Sequence, residues 1–154
     1  MPAMLKELLI AFGTMGVCLV IHVTGILFLG EELVRHREKI EARIGFGYAS
    51  LVLISIFIAL IILHLSEAAI WAALYLQAEL FKNFETCLHF SLQSYSTVGY
   101  GDLPLPEKWR LLGTIEGIAG VLLCGLSTAF LFAIINALFQ FRVKRREQTP
   151  ISEA

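Results

Sequence analysis

The sequence predicts an all-α membrane protein with three transmembrane helices and one shorter, re-entrant helix. Of its 154 residues, 57% are apolar and only 16% are charged, whereas soluble domains have about half apolar and a quarter charged residues. The mean hydropathy of +0.75 also indicates a chain whose solvent is lipid. A net charge of −1 gives no support for nucleic-acid binding, which requires a basic surface.

Three long runs without Asp, Glu, Lys or Arg predict the transmembrane helices. The runs 8–30 and 44–66 have 23 residues each, and the run 117–141 has 25. Because a helix rises 1.5 Å per residue, 23 residues reach roughly 35 Å, enough to cross the ~30 Å hydrocarbon core. We expect an extra N-terminal helix over 1–30, an outer helix over 46–78 and an inner helix over 110–141.

A fourth apolar segment, 86–95, is too short to cross the bilayer. It allows only about three helical turns, whereas a spanning helix needs about 20 residues. In lipid, a re-entrant element is tolerated only where its backbone is buried in protein or lines a water-filled path. The segment therefore predicts a pore helix over 85–96 and, with it, a pore.

The basic residues predict the orientation of the chain. Four lie in the connection 31–45 and four in the tail 142–154, against four in the remaining loops and the N-terminus together. By the positive-inside rule, the connection and the tail are a cytoplasmic linker and a cytoplasmic tail. We therefore expect the N-terminus outside and the C-terminus in the cytoplasm, in a plasma or inner membrane. The same basic runs are expected to contact anionic lipids.

The motif Thr-Val-Gly-Tyr-Gly-Asp at 97–102 directly follows the predicted pore helix. A protein that passes K⁺ through lipid replaces the ion's water shell with rings of backbone carbonyls. Aiming successive carbonyls one way requires alternating dihedrals, and Gly99 and Gly101 reach positive φ without a steric cost. Thr97 can add its hydroxyl at the inner end, and the negative C-terminal end of the pore helix favours a cation. The motif predicts a cation filter.

This segment resembles the selectivity filter of potassium channels and matches it at all six positions of 97–102. The preceding residues 88–96 are similar to the pore helix of that family. Trp109-Arg110, Ala119-Gly120, Gly125 and Thr128-Ala129 resemble its inner helix. The resemblance covers 46–141, as a pore module with one loop per chain, and leaves the first helix outside. It implies a potassium channel without enzymatic activity, with K⁺ as the permeating ion and no cofactor.

The resemblance also implies roles for individual residues. The K⁺ ligands are the carbonyls of Thr97, Val98, Gly99 and Tyr100, and Gly101 completes the filter. Asp102, Gln93 and Glu116 are the expected filter supports. Many family members have an acidic residue where this chain has Gln93, and aromatic residues where it has His89 and Phe90. Inactivation behaviour therefore cannot be carried over.

Four residues of the inner helix are candidates for the cavity and the gate. Gly120 lies where the family often has a gating hinge, and close packing of helices is the alternative reading. Val121, Cys124 and Thr128 are spaced i, i+3, i+7, which places them on one stripe of the helix. By resemblance, that stripe faces the central cavity.

Titratable groups within the predicted spans have two readings. In the first, His64 or Glu67 meets Glu116 behind the filter and makes conduction pH-sensitive. In the second, which we favour, these groups form a structural hydrogen-bonded pair or are interfacial groups that reach headgroup water. His22 is expected to serve helix packing, because no acidic partner is near it in sequence. Aromatic residues near the outer ends, which predict an interfacial belt, are Trp71, Tyr75 and Trp109.

One pore loop per chain supplies a quarter of a ring, so we expect three identical subunits to complete a homotetramer. No helix has arginine at every third position, so we expect a leak-like conductance or a gate driven by pH, lipid or tension. Three alternatives stay open: a subunit of a larger cation transporter, a non-conducting membrane scaffold or sensor, and a poorly selective cation pore.

Overall fold

The computed structural model describes residues 3–43 and 45–148, which fold into helices joined by short connections. The elements are α1 (Ala3–Arg35), α2 (Arg37–Arg43), α3 (Phe46–Gln77), α4 (Phe84–Tyr95), a 3₁₀ turn (Glu107–Trp109) and α5 (Arg110–Gln148). Within the described ranges, three helical stretches are long and apolar enough to cross a membrane: Met4–Arg35, Phe46–Gln77 and Glu107–Val143. The prediction of an all-α membrane protein is confirmed.

The basic connection after the first helix is largely helical. α1 continues to Arg35, and α2 occupies most of the expected linker 31–45. Two ion pairs at helical spacing explain this, Arg35 with Glu32 at 2.7 Å and Arg37 with Glu41 at 2.8 Å, because such pairs stabilise exposed helices. Ile44, within that linker, lies outside the described residues.

The other elements lie close to their expected positions. α3 spans Phe46–Gln77 against the expected 46–78, and α4 spans Phe84–Tyr95 against the expected 85–96. α5 begins at Arg110 and continues to Gln148, beyond the expected end at 141. Residues 149–154 of the expected tail lie outside the described part of the chain.

A buried core joins α1, α3, α4 and α5 at the level of the short helix. Trp71 and Tyr75 are fully buried in it, and the rings of Tyr75 and Phe90 meet edge to face with centroids 5.0 Å apart. The predicted interfacial belt is therefore wrong for Trp71 and Tyr75. The Tyr75 ring faces α4, because a short helix inside the bundle presents an apolar surface that large side chains cover, and the Trp71 ring lies beside Tyr75 with centroids 6.4 Å apart.

Glycines on α5 allow α4 to lie directly against it. A Cβ added at Gly117 would lie 3.1 Å from the carbonyl oxygen of Ser94, and one added at Gly120 would overlap the carbonyl group of Tyr95. Small residues permit this approach of backbones in membrane helix pairs. The contact favours the close-packing reading of Gly120 over the hinge.

The N-terminal helix is bonded to the N-terminal end of α5. The buried carboxylate of Glu7 accepts a hydrogen bond of 3.1 Å from the backbone N–H of Leu112. Leu112 lies in the first turn of α5, where backbone N–H groups lack helical partners and the helix dipole favours a negative charge. α1 thus packs within its own chain and caps α5.

Candidate functional site: a pore loop behind a short helix

The short helix α4 is defined at both ends by local hydrogen bonds. At its start, the side chain of Asn83 accepts bonds of 2.8 Å from both the backbone N–H and the hydroxyl of Thr86, which is a standard N-cap. At its end, the N–H of Thr97 donates to the carbonyl of Ser94 at 3.0 Å. The loop that follows therefore starts at a fixed position on α4.

The loop 97–102 has alternating backbone conformations. φ is +58° at Thr97, +52° at Gly99 and +76° at Gly101, while Val98 and Tyr100 keep negative values. In such an alternation, successive N–H groups turn to one side and carbonyls to the other. Positive φ at the two glycines was predicted from the motif and is confirmed, whereas positive φ at Thr97 was not predicted.

Thr97 adopts a backbone conformation that is uncommon for a residue with a branched side chain. Its hydroxyl donates to the carbonyl of Ser96 at 2.7 Å, a local bond that helps to hold it there. The loop is further held by the N–H of Gly99, which donates to the carbonyl of Gln93 at 3.2 Å. Backbone strain of this kind is concentrated at functional sites.

Side chains of the loop are left uncovered by their own chain. Val98 is 55% exposed and Tyr100 is 75% exposed. On α5, the predicted cavity stripe Val121, Cys124 and Thr128 is exposed as well, although the intervening Leu123 and Ser127 are buried. A single chain therefore presents two incomplete surfaces, one on the loop and one on the inner helix.

Asp102, at the outer end of the loop, faces the short helix through His89 and Gln93. His89 Nε2 lies 3.4 Å from Asp102 Oδ2 and 2.6 Å from the amide nitrogen position of Gln93. Desolvation acts to raise the pKa of the Asp102 carboxyl, but hydrogen bonds from Gln93, its own backbone and His89 hold that pKa below its ordinary value. Asp102 is thus kept ionised beside two of the three residues that depart from the family pattern, His89 and Gln93.

Glu116 is fully buried and connects three helices. Its carboxylate accepts hydrogen bonds of 2.5 Å from the hydroxyls of Tyr75 on α3 and Ser91 on α4. The Ser91 hydroxyl also lies 2.7 Å from the carbonyl of Ala68. Glu116 therefore holds the short helix in place and contacts the helix behind the loop, not the loop itself.

His64 and Glu67 belong to a different group of residues. Glu67 Oε1 lies 2.8 Å from His22 Nδ1, and Glu67 Oε2 accepts a hydrogen bond from the hydroxyl of Tyr95. His64 Nδ1 lies 2.8 Å from the Tyr95 hydroxyl. The hypothesis that His64 or Glu67 meets Glu116 is therefore wrong, and the favoured reading, structural hydrogen bonds, describes what they form.

His22 is the member of this group for which the sequence indicated no acidic partner. It is fully buried, and its bond to Glu67 joins positions 45 residues apart. No local pattern in the sequence links the two. The available signal was that each is a lone polar residue within a long apolar run, since such residues pair with one another inside membranes.

Three long apolar helices, with a short helix and a strained loop between the second and third, define the class of pore-loop membrane proteins. The family model described as "Ion channel" matches residues 48–137, which is more than half of the chain. The chain belongs to this ion channel family. It is accordingly an integral membrane protein, and its family is one of channels rather than of enzymes.

A more distant similarity links the chain to a named protein. Over 66 residues it is 36% identical to the calcium-gated potassium channel TvoK of Thermoplasma volcanium. The aligned segment covers 42% of this chain and 18% of that relative, so the chain spans less than a fifth of the relative's length. No solved structure matches the chain.

Proposed function

We propose that four copies of this chain form a potassium-selective pore that conducts K⁺ passively, with a leak-like conductance. The observation that carries the proposal is the sign alternation of φ along 97–102, positive at Thr97, Gly99 and Gly101. This backbone turns successive carbonyls to one side, as a filter that replaces the ion's hydration shell requires. The word potassium in the name of the distant relative supports the choice of ion.

In this proposal the K⁺ ligands are carbonyls of the loop, and the Thr97 hydroxyl is the innermost ligand. The hydrogen of that hydroxyl is given to Ser96, so the lone pairs of its oxygen remain available to a cation. Asp102, braced by Gln93 and His89, supports the outer end. Glu116 supports the filter indirectly, since it fixes the helix from which the loop starts.

The proposed homotetramer is supported by the fact that one chain contributes a single pore loop. One loop contributes one side of each carbonyl cage, so identical chains must close around an axis. The exposed side chains of Val98 and Tyr100 and the exposed stripe at Val121, Cys124 and Thr128 are available for that assembly. We propose the N-terminus outside, with the basic ends of α1 and α5 in the cytoplasm near anionic lipids.

Reconstitution in liposomes tests the proposal directly. We expect K⁺-loaded vesicles containing the purified chain to develop a K⁺ diffusion potential, and a Na⁺ gradient to produce almost none. Equal K⁺ and Na⁺ fluxes would indicate a poorly selective cation pore. No flux from protein that has assembled as a tetramer would favour a scaffold or sensor, and flux only with another protein would favour a transporter subunit.

Cys124 provides a prediction about the cavity. It is exposed, whereas Cys18 and Cys87 are buried. If the stripe at 121, 124 and 128 lines a water-filled cavity, a cationic methanethiosulfonate reagent applied from the cytoplasmic side should modify Cys124 and suppress most of the K⁺ current. Cys124→Ser should remove this sensitivity and keep the current. Persistent current in wild type after complete labelling, or failure to label because the thiol faces lipid, would contradict the cavity assignment.

A further inference from the structure

Five side chains from four helices form a closed hydrogen-bonded group behind the pore loop, which we call the polar ring: His22, His64, Glu67, Tyr95 and Ser127. His22 Nδ1 lies 2.8 Å from Glu67 Oε1, and His64 Nδ1 lies 2.8 Å from Tyr95 Oη. Ser127 Oγ lies 3.1 Å from His22 Nε2 and 3.0 Å from His64 Nε2. Glu67 and Tyr95 close the ring.

The polar ring contains a buried carboxylate without an arginine or lysine beside it. Glu67 is fully buried within a membrane-spanning helix, and the side chains that bond it in the described structure are His22, His64 and Tyr95. Burying an unpaired carboxylate is costly, so it requires a compensating cation or proton at this place. Either a proton on an imidazole or a cation bound between Glu67 and the two imidazoles would supply that charge.

The two imidazoles are oriented alike. Both Nε2 atoms face the single hydroxyl oxygen of Ser127, whose two lone pairs can accept one N–H from each ring. In the metal-free ring the hydrogens are on Nδ1, because His22 faces the Glu67 carboxylate and the Tyr95 hydroxyl gives its own hydrogen to Glu67. When a metal binds, each neutral imidazole takes its hydrogen on Nε2, where it donates to Ser127, and the Nδ1 lone pairs face the ion. Metal-binding histidines show this arrangement, in which the distal N–H is held by an outer partner and the other nitrogen faces the ion.

We propose that the polar ring binds a divalent transition-metal ion of the Zn²⁺ class through His22 Nδ1, His64 Nδ1 and the carboxylate of Glu67, with Tyr95 Oη beside the fourth position. One ligand atom from each of His22, His64 and Glu67 lies within 4.8 Å of the other two. Tetrahedral Zn²⁺ with bonds of 2.0–2.1 Å separates its ligands by about 3.3 Å. Changes of up to about 1.5 Å in the distances between ligand atoms therefore complete the site.

The ligand set selects the class of metal. Two imidazoles and a carboxylate suit Zn²⁺, Co²⁺ and their neighbours, whereas Mg²⁺ and Ca²⁺ require oxygen ligands. The side chain of His64 is 20% exposed, so its own chain does not fully enclose the polar ring. A bound ion would join α1, through His22, to α3 and to the last residue of α4, two positions before Thr97.

Metal analysis of the full chain tests this proposal without any measurement of flux. The detergent-purified protein is stripped with chelator, loaded with Zn²⁺ or Co²⁺, desalted and analysed for metal per chain. We expect about one ion per chain and the strong visible absorption of tetrahedral Co²⁺. His22→Ala and His64→Ala should lose the ion. His36→Ala, the matched control in the exposed α1–α2 turn, should retain it.

Ser127→Ala keeps all three metal ligands, so it serves if the histidine variants do not fold. We expect it to weaken Zn²⁺ binding about 10- to 100-fold, the usual effect of removing an outer partner of a ligating histidine. No retained metal in folded wild type, or an octahedral Co²⁺ spectrum, would overturn the proposal and assign the compensating charge to a proton. Equal loss of metal in His36→Ala would overturn it as well, because binding would then be at surface histidines. The proposed K⁺ conduction is unaffected by either result.

Discussion

Replacing Gly99 by alanine is expected to abolish potassium flux while the helices stay folded. φ is +52° at this position, and a residue with a Cβ pays about 1–2 kcal/mol to remain in that region. In a ring of four chains the cost is incurred four times at one level of the filter. An alanine at this position avoids the conformational cost by adopting a negative φ, and this change turns the adjoining carbonyls away from the ion path.

Liposome flux measures the expected loss of conduction, and circular dichroism measures whether the helical content is retained. Since about 1.4 kcal/mol changes a rate tenfold, we expect flux to fall by more than about tenfold. Gly16→Ala is the matched control, because Gly16 is an exposed helical glycine with nothing within 4 Å of an added Cβ. Normal K⁺ selectivity and flux in Gly99→Ala would contradict the role assigned to the alternating backbone.

Replacing Gly120 by alanine is expected to destabilise the whole pore region. The added methyl group overlaps the carbonyl carbon and oxygen of Tyr95, which belong to the backbone and cannot rotate aside. Overpacking of this kind costs about 1–3 kcal/mol, and more where backbone must shift. Either α5 separates from α4, or the end of α4 moves together with Thr97, so both stability and flux should fall.

Three measurements distinguish a packing role of Gly120 from a hinge. They are the thermal unfolding midpoint in detergent, the retention of the tetramer and the K⁺ flux. Gly125→Ala is the control in the same helix, because an added Cβ there meets nothing within 4 Å of its own chain. We expect a clearly lower midpoint for Gly120→Ala than for Gly125→Ala. Unchanged stability with an altered open probability would instead support a hinge.

The features of this molecule that could be predicted depend on local sequence patterns. Charge-free runs of sufficient length fix which segments cross the membrane, and the positive φ of Gly99 and Gly101 follows from a six-residue motif. The helical course of the basic connection was missed, although the pairing of Arg37 with Glu41 was readable at four-residue spacing. The dense charges of 31–45, eight in 15 residues, suggested a solvated linker, whereas their spacing favoured a helix.

The contacts between distant segments could not be predicted in the same way. Membrane helices are apolar all round, so no hydrophobic stripe indicates which face meets which neighbour. For that reason Trp71 and Tyr75 were placed at the interface, and the partner of Glu67 was sought on α5. One of the residues that bond it, His22, lies on α1, outside the segment that resembles known channels.

The cap that Glu7 places on α5 bears on how this protein can be divided. The family match begins at residue 48, yet the N–H of Leu112 and the carboxylate of Glu67 depend on side chains of α1. Removing α1 would leave the N–H of Leu112 without its carboxylate partner and would take one hydrogen bond from Glu67 inside the membrane. The segment that matches the family is therefore shorter than the set of helices that satisfies its buried polar groups.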